Sequence, residues 1–131
     1  MPVGEVIGRF DTRTVDGKPV SRDRLSGETL VAFFSPGCDT CLDTLPEFVK
    51  YARELEDGSR HVLAVVTGEG EEAPTFVRAL QPVAPVVVDV DEKLSKAFKA
   101  KVFPVFCLVD ADGKVLASEI RLARLPVTVG S

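Results

Sequence analysis

Two cysteines separated by two residues, Cys38-Asp39-Thr40-Cys41, are the side chains in this sequence best suited to chemistry. Such a pair can close a small disulfide and reopen it through a mixed disulfide with another thiol. It can also hold zinc, but a tetrahedral zinc site takes further ligands, usually a second pair at comparable spacing. The chain has one other cysteine, Cys107, and one histidine, His61. Cys107 lies inside an apolar run and His61 beside one, the ordinary places for a packed cysteine and a loop histidine. Redox exchange is therefore the chemistry the pair favours, and neither a metal site nor a cofactor is expected.

The residues around the pair say how it is held. Leu30-Val31-Ala32-Phe33-Phe34 is an unbroken apolar run, the pattern of a strand covered on both faces. Ser35-Pro36-Gly37 breaks it. From Leu42 onward, Leu45, Phe48, Val49, Ala52 and Leu55 recur at three- and four-residue intervals, which predicts a helix with one buried face. Cys38 and Cys41 thus fall at a helix N-terminus, where free N–H groups and the helix dipole favour thiolate over thiol. Cys38 is the expected nucleophile, and Cys41, one turn deeper, can attack the same sulfur.

The remaining elements follow from the same rules. Asp16-Gly17 predicts a hairpin turn after a strand from Phe10 to Val15. Ser21 reads as the cap of one helical turn ending at Leu25 and closed by Gly27. Val62 to Val66 is a second buried strand, with His61 in the loop before it. Pro74 starts a helix carrying Phe76, Val77 and Leu80, and Val86-Val87-Val88 is a short strand. Asp91 is expected to cap a small helix with Leu94, Ala97 and Phe98 inside and Lys93, Lys96, Lys99 and Lys101 outside. A strand from Val102 to Val109 carries Pro104 near its beginning, and Asp112-Gly113 turns it into a hairpin strand from Val115 to Ile120. Arg121 to Ser131 reads as an edge strand or a tail.

With 131 residues, 45% hydrophobic and 27% charged, the composition suits one globular domain spanning 1–131. The net charge of −4 argues against nucleic-acid binding. No apolar run approaches the roughly 20 residues of a membrane span. Met1-Pro2-Val3-Gly4 lacks the pattern of a signal peptide, so the chain reads as soluble and unaddressed, as would one trimmed of an export segment or anchor.

The order of elements resembles the thioredoxin fold: an α/β architecture with a central mixed β-sheet flanked by helices, here with an N-terminal β-hairpin extension. More narrowly, Val3-Gly4, Asp16-Gly17-Lys18, Leu25-Ser26-Gly27, Pro46 and Asp110-Ala111-Asp112-Gly113-Lys114 resemble the TlpA/ResA-type thiol-disulfide oxidoreductases. Ser35-Pro36 and Thr44-Leu45-Pro46 are similar to the accessory thioredoxins of methylamine utilisation. The resemblance runs from Val3 to about Ile120. It implies a cis Pro104 facing the disulfide, with Phe103 backbone groups beside it for an extended substrate. It further implies protein thiol or disulfide substrates, a redox partner protein and action outside the cytoplasm, with or without a membrane anchor. Helix-end stabilisation of the Cys38 thiolate favours an oxidant and the nearby Asp39 and Asp43 oppose it, so the expectation leans to a reductant, working as a monomer.

This sequence departs from the family pattern in three places. Gly37 stands where the family has Trp, the two family carboxylate positions are Ala32 and Thr44, and no terminal helix is evident after Ile120. Two other functions compete on the same fold. A peroxiredoxin-like thiol peroxidase would need a proline where Val31 stands, although Ser35 could supply its hydroxyl. A copper-binding module would need a histidine to support the pair, and only His61 is available.

Overall fold

The computed structural model describes residues 3–22, 29–35, 39–54, 61–67, 73–89, 92–100 and 102–120. Its strands are β1 (Asp11–Arg13), β2 (Pro19–Ser21), β3 (Thr29–Phe34), β4 (His61–Thr67), β5 (Val86–Asp89), β6 (Val105–Val109) and β7 (Val115–Glu119). Its helices are α1 (Asp39–Glu54), α2 (Ala73–Leu80) and α3 (Lys93–Phe98). Five strands form one sheet in the order β5-β4-β3-β6-β7. The β3–β4 and β4–β5 pairs are parallel, whereas β3–β6 and β6–β7 are antiparallel.

The apolar run of β3 is central, and all six of its residues are buried. Alternation splits them between two cores. Leu30, Ala32 and Phe34 face the side covered by α1 and α2, while Val31 and Phe33 face α3 and the N-terminal segment. On the first side Phe34 meets Phe48 and Phe106 edge to face at 5.3 and 6.1 Å, and Phe48 stacks on Phe106 at 6.0 Å. Phe48 is thereby the anchor that sets α1 on the sheet. Cys41, seven residues earlier, lies on the same helical face about two turns nearer the N-terminus. Pro46 inside α1 has no N–H for the Leu42 carbonyl, and both residues are on the solvent side, where water can take its place.

The hairpin forms where Asp16-Gly17 places it, with Arg13 opposite Pro19 and Gly17 at φ +89°. The segment before it straps the sheet. Gly4 donates to the Val115 carbonyl and Val115 donates to the Glu5 carbonyl, both at 2.8 Å, which fixes the strap to β7. Gly8 donates to Ala97 of α3, and Val15 donates to Val86 of β5, at 2.9 and 2.8 Å. The strap therefore crosses one face from edge to edge, burying Ile7 and Phe10 on the way.

Two sequence expectations are corrected, and the start of α3 adds a group that the sequence reading passed over. Asp89 accepts from the Leu94 and Ser95 amides and from the Ser95 hydroxyl at 3.0, 2.9 and 3.0 Å. Asp91 itself lies outside the described residues, and Glu92 at the helix entrance is left-handed with φ 58°. The strand predicted from Val102 starts at Val105, because proline has no N–H for a ladder and Phe103–Pro104 turns the chain into it. His61 is the first residue of β4 rather than a loop residue, pairing with Thr29. The predicted turn to Leu25 and Gly27, Lys101, and residues 121–131 lie outside the described residues.

Candidate active site

The parallel strands β3, β4 and β5 all end on one edge of the core, and open α/β sheets place their sites outside such carboxyl ends. Ser35 leaves β3 there, and α1 starts four residues later. Cys41 is the third residue of α1, in its first turn, and its side chain is fully buried at 0% exposure. It packs in the apolar cluster with Ala32, Phe34 and Leu45. Its sulfur accepts a hydrogen bond from the Ser35 amide at 3.4 Å. Cys38, immediately before α1, lies outside the described residues.

Phe103 and Pro104 come to the same end of the sheet. β6 runs antiparallel to β3 with Val105 opposite Phe33, so the two residues before Val105 continue past Phe34 towards Ser35. The Phe103–Pro104 bond is cis, Pro104 is buried, and the half-buried Phe103 ring packs against both cores, including the cluster that holds Cys41. Leu42 and Val102 leave apolar surface exposed on the adjoining segments.

The two positions at which the resemblance sets a carboxylate offer none here. Ala32 is buried in the Cys41 cluster, and the Thr44 hydroxyl donates to the Thr40 carbonyl at 2.7 Å, one turn back on its own helix. Asp39, Asp43 and Glu47 of α1 are exposed. His61 begins β4 at the far end of the sheet, roughly 20 Å along the strands from Ser35. Cys107 lies in β6 on the opposite face from Cys41, and burial pushes its thiol up to about 12.

Sequence reasoning missed two groups at this end. The Ser35 amide is backbone and leaves no signature in a sequence. Thr67, the last residue of β4, donates its hydroxyl to the Phe34 carbonyl at 3.2 Å. A lone hydroxyl closing an apolar run just before a glycine-rich loop was the signal available for it.

A mixed sheet whose central strand delivers a cysteine-bearing helix, beside a cis-proline strand entrance, defines a thioredoxin-fold protein. The chain belongs to the AhpC/TSA family, whose model matches residues 3–118. It is 24% identical over 115 residues to the thiol-disulfide oxidoreductase ResA of Bacillus subtilis, a match covering 86% of this chain and 64% of ResA. The chain thus spans slightly less than two thirds of that relative. Among solved structures, it superposes on a thiol:disulfide interchange protein from Bacteroides sp. with a TM-score of 0.71 and 26% identity, covering 92% of this chain and 83% of the other. It superposes on the exposed lipoprotein thioredoxin of Streptococcus pneumoniae with a TM-score of 0.67 and 25% identity, covering 88% and 90%.

Proposed function

We propose that this protein is a thiol-disulfide oxidoreductase that exchanges a Cys38–Cys41 dithiol for the disulfides of protein substrates. The observation that carries the reading is Cys41, fully buried in the first turn of α1 with an amide on its sulfur, three residues after Cys38 in the sequence. Cys38 is the nucleophile. Its thiolate attacks one sulfur of a substrate disulfide, the bond from Cys38 to that sulfur forms, and the other substrate sulfur leaves with the electron pair and takes up a proton. Cys41, having given its proton to water, then attacks the Cys38 sulfur. The internal disulfide forms, the substrate's second thiolate departs, and two electrons have passed to the substrate.

Phe103 and Pro104 present backbone to an extended substrate segment beside the disulfide, as strand-addition recognition requires. The protein acts as a single domain and a monomer, as a reductant outside the cytoplasm, with a membrane anchor on the full-length protein and a partner protein that returns it to the dithiol. The name of ResA supports the thiol-disulfide exchange, and that of the exposed lipoprotein thioredoxin supports the location and the anchor.

Reduction of a protein disulfide by the dithiol form, followed by thiol mapping, tests it. The expected result is turnover that vanishes in Cys38→Ser. Turnover unaffected by that substitution overturns the proposal. Peroxide consumption supported by a thiol reductant would point instead to the peroxidase alternative, against which Val31 stands on the face of β3 turned away from Cys41.

A further inference from the structure

We infer that Thr67 is a positioning residue for the resolving sulfur, acting on Cys41 through the peptide that joins Phe34 to Ser35. That peptide is held at both ends. Its carbonyl accepts from the Thr67 hydroxyl at 3.2 Å, and its N–H donates to the Cys41 sulfur at 3.4 Å. A donor on the carbonyl draws electron density along the amide and makes its N–H a stronger donor, because hydrogen bonds in series polarise one another in the same sense. Phe34 forms the last β3–β4 pair, with Val66, so the next residue of β4 reaches back with its side chain to this peptide. The hydroxyl also fixes the peptide plane, and with it the direction in which the N–H points.

This inference rests on the proposed exchange for its catalytic meaning. An N–H aimed at sulfur stabilises thiolate over thiol. In the resolving step it raises the fraction of Cys41 ready to attack, and in the reverse step it makes Cys41 the better leaving group. Few charges compete with it among the described residues. Asp39, Asp43 and Glu47 of α1, Arg78 of α2, and Lys99 before the Phe103–Pro104 turn are all exposed, and Tyr51 is the other titratable side chain packed against the Cys41 cluster.

The test titrates Cys41 by thiolate absorbance in the Cys38→Ser protein, where Cys107, ionising near 12, stays silent below that range. Thr67→Val should move the titration up by about half a pH unit, and Thr67→Ser should restore it. Replacing the Ser35 amide by an ester, which removes the N–H and leaves the side chain, should move it up by about one unit. The ester keeps the test open should Thr67→Val fail to fold. An unchanged titration in Thr67→Val or in the ester, or a shift in Thr67→Ser as large as in Thr67→Val, overturns the inference. The titration needs no turnover, so its failure is distinct from wild-type protein that reduces no disulfide.

Discussion

Cys41 and Cys107 are buried on opposite faces of the central sheet, with β3 and β6 between their cores. A bond between them would have to pass through the sheet, whereas a disulfide needs its two Cα atoms within about 7 Å. Oxidation should therefore join Cys38 to Cys41 alone and leave Cys107 as a thiol. Alkylation of the native oxidised protein, followed by peptide mass mapping, checks this, and a bridge to Cys107 would contradict it.

Cys107 should instead make itself felt in alkaline unfolding. Its thiol ionises near 12 in the folded chain against an ordinary value of 9.0, because burial disfavours the thiolate. Between those values the unfolded state holds fewer protons than the folded one, so stability falls as pH rises. The contribution is complete below pH 9 and is lost by pH 12, a loss of at most about 4 kcal/mol. Urea unfolding of wild type and Cys107→Ala should diverge across that window, the variant losing less stability.

Cys41→Ser should trap a mixed disulfide. The variant keeps the proposed nucleophile and loses the attack that frees the substrate, so the Cys38 adduct accumulates. Non-reducing electrophoresis after mixing with a disulfide-containing protein should show the covalent complex, and Cys38→Ser should show none.

Resolution should show no carboxylate step between about pH 5 and 8. Ala32 cannot take a proton, and Thr44 has its hydroxyl committed to the Thr40 carbonyl. The wild-type rate should rise with the cysteine ionisation alone, while Thr44→Glu places an acid next to Cys41 on the helix and should add a titration below it. Stopped-flow release from a preformed mixed disulfide distinguishes the two profiles.

Asp89→Asn should destabilise the protein by about 1–3 kcal/mol. One amide oxygen cannot replace both carboxylate oxygens, which between them serve Leu94, Ser95 and the Ser95 hydroxyl. Urea midpoints measure the loss.

Much of this architecture was legible in the sequence because burial leaves periodic marks. β3, β4, α1 and α2 stand where apolar runs and three-to-four spacing place them, and Gly17 marks its turn because its φ of +89° excludes most side chains. The misreadings came where contact outside the local window decides. Asp89 sits at the end of a strand and three residues before a left-handed Glu92, so a rule that looks for a cap just before the helix passes over it. At the site, spacing alone singled out Cys41. The Thr67–Phe34 and Ser35–Cys41 hydrogen bonds join β4, β3 and α1 in space, and no local pattern encodes such a meeting.

The strap that runs from β7 to β5 also bears on how the protein is made. Synthesis proceeds from the amino end, so Gly4 and Glu5 emerge long before Val115, their partner, exists. Bonds between positions so distant in sequence close late, since the intervening loop must be ordered first. Until then the strap cannot shield β7, whose outer edge is a template for pairing with another chain. The interval after β7 is made and before the strap closes on it is thus the period in which that edge stays open to pairing.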